Sequence, residues 1–129
     1  MANEEVIKIK PAHQDARGII ANVLDKPIAH VAVITSKKGS IRANHCHPKQ
    51  WQYEYLVSGR YESTTKDLRN GGDAPTETRI IEAGDLVITP PMVAHAMRFM
   101  EDSVMLNLTD GNRDHEQFEE HTKPYKLIE

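Results

Sequence analysis

Apolar and polar residues alternate in short runs along this chain, rather than recurring every third or fourth position, which is the signature of strands. Residues 6–10, Val-Ile-Lys-Ile-Lys, predict an edge strand. A turn at Asp15-Ala16-Arg17-Gly18 leads into an extended run over 19–24, and residues 31–35 are rich in β-branched side chains. Lys38-Gly39 turns the chain into a strand over 41–47, and the runs 51–57 and 60–65 flank Ser58-Gly59 as a hairpin. Residues 66–76 contain Asn70-Gly71-Gly72-Asp73 and Pro75 and read as a surface loop. Further strands are predicted over 78–81, 86–89, 95–99 and 104–108. Pro90-Pro91 has to be a turn, since proline cannot donate to a ladder. A short C-terminal helix is predicted over 114–120, opened by a capping box of Asp114 and Gln117. Short strands punctuated by turns, without a repeat, predict an all-β sandwich or barrel. The expectation is one domain over 1–129, with a barrel over about 28–110, an edge strand over 5–10 and a tail over 111–129.

Composition narrows the function classes. A chain of 129 residues, 39% hydrophobic, suits one core. Its apolar runs fall short of the ~20 residues of a spanning helix, and residues 1–10 lack the apolar stretch of a signal peptide. The single cysteine, Cys46, has no internal disulfide partner. A cytoplasmic protein is therefore expected. The net charge of −3, with Lys37-Lys38 as the main basic cluster, argues against nucleic acid as a partner.

The candidate chemistry sits on the strands. Residues i and i+2 of a strand share a face, so His45 and His47 both point inward while Cys46 points away as a packing residue. Gln52 on the next strand and His95 further on converge with them. Three imidazoles and an amide oxygen suit a divalent transition metal such as zinc, iron, nickel or manganese. A neutral Gln52 leaves the ion's charge uncompensated, which makes it a stronger Lewis acid but holds it less firmly. Glu54 shares parity with Gln52 and is a candidate acid or base. Met97 and Phe99 share parity with His95 and are expected to line an apolar wall against substrate. Arg42 and Arg98 fall outside by strict alternation unless a bulge re-aims them. Trp51, Tyr53 and Tyr55 have the opposite parity and belong between layers or at a dimer contact. His13, His30, His115 and His121 read as surface residues.

The spacing of His45, His47, Gln52, Gly59, Gly84, Pro90 and His95 resembles the two-part motif of the cupins, in particular the RmlC-like ones, although Met92 stands where a second glycine is common. That resemblance implies a jelly-roll barrel, or double-stranded β-helix, holding a metal or a substrate inside. Arg42-Ala43-Asn44-His45-Cys46-His47, the Val57-Ser58-Gly59 turn, the stretch from Met92 through His95 to Phe99 and the early Asp15-Ala16-Arg17-Gly18 resemble sugar-nucleotide 3,4-ketoisomerases and 3,5-epimerases. This likeness covers residues 15–110. It implies His45 as a base beside a sugar ketone, His47 as its partner or a second acid/base, and Arg42 on an anionic diphosphate. The two His, Gln and His also resemble the ligands of small cupins that linearise unsaturated uronates. A metal-bound imidazole has no free lone pair at the ligating nitrogen, so the metal site and the His45 base compete. The expected function is a metal-binding carbohydrate isomerase or epimerase of polysaccharide metabolism, acting on a nucleotide-sugar or uronate. The alternatives are a non-heme iron dioxygenase and a non-catalytic cupin that binds a sugar or metabolite. A homodimer is expected from the N-terminal edge strand, which needs a partner.

Overall fold

The computed structural model describes residues 3–114, 116 and 118–129. Twelve strands form in chain order: β1 Glu5–Lys8, β2 His13–Asp15, β3 Gly18–Ile20, β4 His30–Ser36, β5 Ile41–Cys46, β6 Gln52–Ser58, β7 Arg60–Asp67, β8 Thr76–Glu82, β9 Asp85–Thr89, β10 Val93–Phe99, β11 Ser103–Thr109 and β12 Lys123–Pro124. One helical turn, α1, spans Phe118–His121. Two five-stranded antiparallel sheets, ordered β1-β9-β6-β11-β4 and β12-β5-β10-β7-β8, form the jelly roll, and β2-β3 makes a separate hairpin.

Some elements differ from expectation. The run over 19–24 stops as strand β3 at Ile20, because β2 is its sole partner and the ladder ends with it. The helix is shorter than its predicted span, and Gln117 of the expected capping box lies outside the described residues. The tail is not a free appendage, since β12 extends the second sheet by pairing with β5. At the other end, Glu4 reaches into the seam between the sheets. Its carboxylate accepts from Ser63 Oγ of β7 at 2.8 Å and from Thr89 Oγ1 of β9 at 2.7 Å.

The interior is graded from apolar to polar along the strands. One end is a core of Leu56, Tyr61, Ile81, Val87, Met97, Phe99 and Met105. Two residues further along β6, β10 and β11, the inward positions become Glu54, His95 and Asn107, all buried. The period of two that builds the core thus also delivers polar side chains to one end of it. The outer face of the first sheet is apolar instead. Val33, Leu106, Tyr55, Leu86 and Ile7 pair in one row across all five strands, and Val33 is 66% exposed.

β5 carries the irregularity that shapes the site. His45 pairs with His95, but the next partner of β10, Ala96, pairs with Ala43, so Asn44 is an extra residue on β5. Ala43 and Asn44 accordingly take φ of 70° and 54°. Asparagine tolerates this left-handed region, whereas alanine is held there at a cost of about 1–2 kcal/mol. The C-terminal segment fastens the bulge: Tyr125 N donates to Asn44 O at 2.8 Å, and Leu127 N and Ile128 N donate to Asn44 Oδ1 at 2.8 and 3.1 Å.

Candidate functional site

The bulge decides which side chains of β5 reach the interior. Past the extra residue, Arg42 pairs with Met97 while His45 pairs with His95. Arg42 and His45, three positions apart, therefore line the same cavity, which a straight strand does not allow. Its volume is about 180 Å³, and Ile34, Gln52, Glu54, His95, Met97, Asn107 and Arg113 complete much of its wall. Phe99, expected on that wall, lies deeper: it is buried against Tyr61 in the core, with ring centroids 5.2 Å apart. Arg98 stays outside, donating to the Glu129 carbonyl. Cys46 is buried outside the histidine cluster, and burial pushes its thiol up.

His45, His47 and His95 bring one nitrogen each within 4.8 Å of one another. The ring centroids of His45 lie 4.6 Å from His47 and 4.9 Å from His95. His47 is oriented by the C-terminal segment, its Nδ1–H donating to the carbonyl of His121 at 2.7 Å. His121, expected on the surface, is buried here, because its ring bridges Thr122 Oγ1 and the Asp114 carbonyl. With Nδ1 as donor, His47 Nε2 is left with a lone pair. Among the described residues, His47 Nε2 and His95 Nδ1 are the buried side-chain polar atoms without a hydrogen-bond partner. An orphaned imidazole nitrogen inside a histidine cluster is what a metal ligand looks like before the ion arrives. His115 of the predicted surface set lies outside the described residues.

Gln52 reaches the cluster with its amide nitrogen foremost. Nε2 donates to Glu54 Oε1 at 2.9 Å and approaches His95 Nε2 at 3.3 Å, while Oε1 accepts from Arg113 Nη2 at 3.1 Å. This amide orientation follows from the hydrogen-bond network. Glu54 also accepts from Asn107 Nδ2 at 3.2 Å.

Burial and charge set the ionisation of the site. Desolvation, then the Arg113 charge, lowers His45 to about 4 and His47 to about 3. His95 is held well below the usual imidazole range, chiefly by burial. All three are neutral near pH 7, the form that ligates metal. Glu54 moves the opposite way: burial, then the nearby Glu4, pushes its carboxyl up to about 8.

Arg113, Asn107, Asn44 and His121 were not identified as site residues from the sequence. Asn107 shares inward parity with Met105 and was legible as a polar residue aimed into a core. Arg113 lies in a loop after β11, where no periodicity points to it.

The family profile described as Cupin domain matches residues 32–109. No curated protein matches the chain. Among solved structures, the chain is similar to the QdtA 3,4-ketoisomerase from Thermoanaerobacterium thermosaccharolyticum, a double mutant in complex with TDP. The identity is 22%, the TM-score 0.74, and 95% of this chain and 88% of that chain are covered. RmlC from Streptococcus suis, in complex with dTDP-D-xylose, is 20% identical with a TM-score of 0.74, covering 92% of this chain and 69% of that one. The rmlC epimerase of Mycobacterium tuberculosis is 18% identical with a TM-score of 0.77, covering 95% and 68%.

Proposed function

The chain belongs to the cupin family, and from that premise we propose that it is a metal-binding carbohydrate isomerase or epimerase acting on a nucleotide-sugar or uronate. The observation that carries the reading is the converging set of His45, His47 and His95, with His47 Nε2 unpartnered and with His45 and His95 lining a small cavity. The fold shared with sugar-nucleotide ketoisomerases and epimerases supports the substrate class.

His45, His47 and His95 would hold the ion, with Gln52 as the fourth donor once its amide oxygen is released from Arg113. The donor set suits zinc, iron, nickel or manganese. When bound, such an ion supplies Lewis acidity that polarises a carbonyl oxygen. Proton transfer falls to Glu54 rather than to His45. As a metal ligand His45 has no free lone pair at the ligating nitrogen, whereas the Glu54 carboxyl lines the cavity without being one of the donors in this reading. Gln52 and Asn107 hold the Glu54 carboxyl at the cavity wall. Arg42 and Met97 contribute a charge and an apolar surface to the same wall.

The decisive experiment measures metal per protomer in full-length protein purified without added metal, beside the His95→Ala and Gln52→Ala variants. Near-stoichiometric metal in the wild type, lost in His95→Ala and reduced in Gln52→Ala, is expected. Deuterium should then enter the carbon beside the carbonyl of a keto-sugar nucleotide or an unsaturated uronate. No metal after incubation with zinc, iron, nickel or manganese would sink the proposal. Ferrous-dependent oxygen uptake without isotope exchange would move it to the dioxygenase class.

The working unit is a homodimer built on the outer face of the first sheet. Rows of apolar side chains cross that face, and Val31, Val33 and Val57 are exposed on it. A patch of this kind marks an association surface, and a second copy presents the same patch to it. In this reading the contact is a sheet face, and β1, which pairs with β9 along one edge, is an outer strand of the same sheet.

A further inference from the structure

The loop that follows β11 is laced to the start of β6. Trp51 N donates to Asp110 Oδ1 at 3.0 Å, and Gln50 Nε2 donates to the Asn112 carbonyl at 3.0 Å. Further along, Arg113 grips the same stretch through its guanidinium: Nε donates to Gln50 Oε1 at 2.8 Å and Nη2 to Gln52 Oε1 at 3.1 Å. Glu54 and Asp110 both act on its charge. That charge in turn bears on His45, His47 and His95, where it disfavours a proton and, by the same sign, a metal dication.

Gln52 is thereby held the wrong way round for a ligand. A glutamine amide binds a metal through its oxygen. Here the oxygen faces Arg113, while Nε2 lies 3.3 Å from His95 Nε2 and donates to Glu54 Oε1 at 2.9 Å. Turning the amide in place aims Nε2 at the Arg113 donors and forfeits both hydrogen bonds. Gln52 is buried, so an amide without partners there is costly. The nitrogen-forward orientation therefore lasts as long as Arg113 keeps its hold.

Resting on the reading of the site as a metal centre, we propose that Arg113 is a latch on Gln52. While the guanidinium holds Oε1, the three histidines are the donors on offer, and Gln52 becomes the fourth only when Arg113 lets go. The latch belongs to the segment that also orients His47, since α1 follows the loop and the His121 carbonyl accepts from His47 Nδ1 at 2.7 Å. One stretch of chain thus presents one ligand and withholds another. Released, the guanidinium keeps Asp110 as an acidic neighbour on its own loop.

Zinc affinity of the full-length protein, measured by competition with a chromophoric chelator, tests this in the wild type, Arg113→Met, Gln50→Ala, Gln52→Ala and the Gln52→Ala/Arg113→Met double variant. Arg113→Met should tighten zinc by about tenfold, the worth of a charge-assisted hydrogen bond. Gln50→Ala keeps the charge and removes only the second anchor of the guanidinium, so it should tighten zinc by about threefold. It also carries the test if melting of the metal-free proteins shows Arg113→Met to be unfolded. In the Gln52→Ala background the gain from Arg113→Met should shrink to the effect of charge alone, about threefold or less. The same tenfold gain with and without Gln52 overturns the latch and makes Arg113 a source of repulsion only. Unchanged or weaker zinc binding in both Arg113→Met and Gln50→Ala overturns it as well, by making the loop a support of the site. Either result leaves the metal reading standing, whereas zinc bound by neither the wild type nor any variant removes both.

Discussion

At the scale of single residues, burial sets the acid-base behaviour of the site, and the sign can be worked out. Glu54 is raised from 4.5 to about 8. A group raised in the folded state contributes stability that is complete below its unfolded pKa and is lost as pH rises through its folded one. Glu54→Gln removes that loss. In metal-stripped protein, the melting temperature of the variant should therefore gain on wild type from about pH 5 to about pH 9. A constant difference across that window would show that the carboxyl ionises freely. His45 and His47 run the other way. Lowered to about 4 and about 3, they contribute stability present above 6.5 and lost as pH falls toward those values. Gly59 illustrates a different constraint. Its φ is +95°, and an added Cβ would lie 2.6 Å from Ser103 Cβ and 2.7 Å from the Asp102 carbonyl oxygen. Gly59→Ala should destabilise by roughly 2–4 kcal/mol in urea unfolding. Gly39, at φ +88° with open space around it, isolates the backbone strain, and Gly39→Ala should lose only about 1 kcal/mol.

At the scale of elements, the C-terminal segment and the β5 bulge act as one device. Asn44 holds the Leu127 and Ile128 amides, β12 pairs with Cys46 and His45, and the His121 carbonyl fixes the His47 ring. Asn44→Gly keeps the left-handed backbone accessible while deleting the side-chain clamp. Hydrogen exchange at the Leu127 and Ile128 amides should accelerate, and metal affinity should fall by about tenfold, as for other residues that orient a ligand. Unchanged exchange together with unchanged affinity would show that β12 holds the segment without Asn44.

At the scale of the whole molecule, one sheet face is apolar and, among the described residues, Val31, Val33 and Val57 are left exposed on it. Val33, midway along the outer strand β4, is 66% exposed on that surface, so Val33→Glu places a charge where a second copy would pack. Sedimentation should show a dimer for the wild type and a monomer for the variant, with metal content unchanged. A dimer that survives the substitution would locate the contact elsewhere.

The division between sequence and tertiary structure follows from the range of the interactions. Alternation is local, so the strands, the hairpin at Gly59 and the inward parity of His45, Gln52, Glu54 and His95 were readable along the chain. The family match over residues 32–109 agrees with that reading. Parity fails wherever a residue is inserted: the extra Asn44 turns Arg42 inward, and no pattern within β5 announces it. Phe99 had the right parity, but the interior changes from polar to apolar along β10, and depth is a property of both sheets together. Arg113, His121 and Glu4 sit in segments without periodicity, and they meet the barrel only because the chain folds back across it. Local pattern alone determined which strands form and which faces they bury. The cavity's charge, the tautomer of His47 and the raised carboxyl of Glu54 were decided by contacts between residues tens of positions apart, which exist only once the sheets have closed.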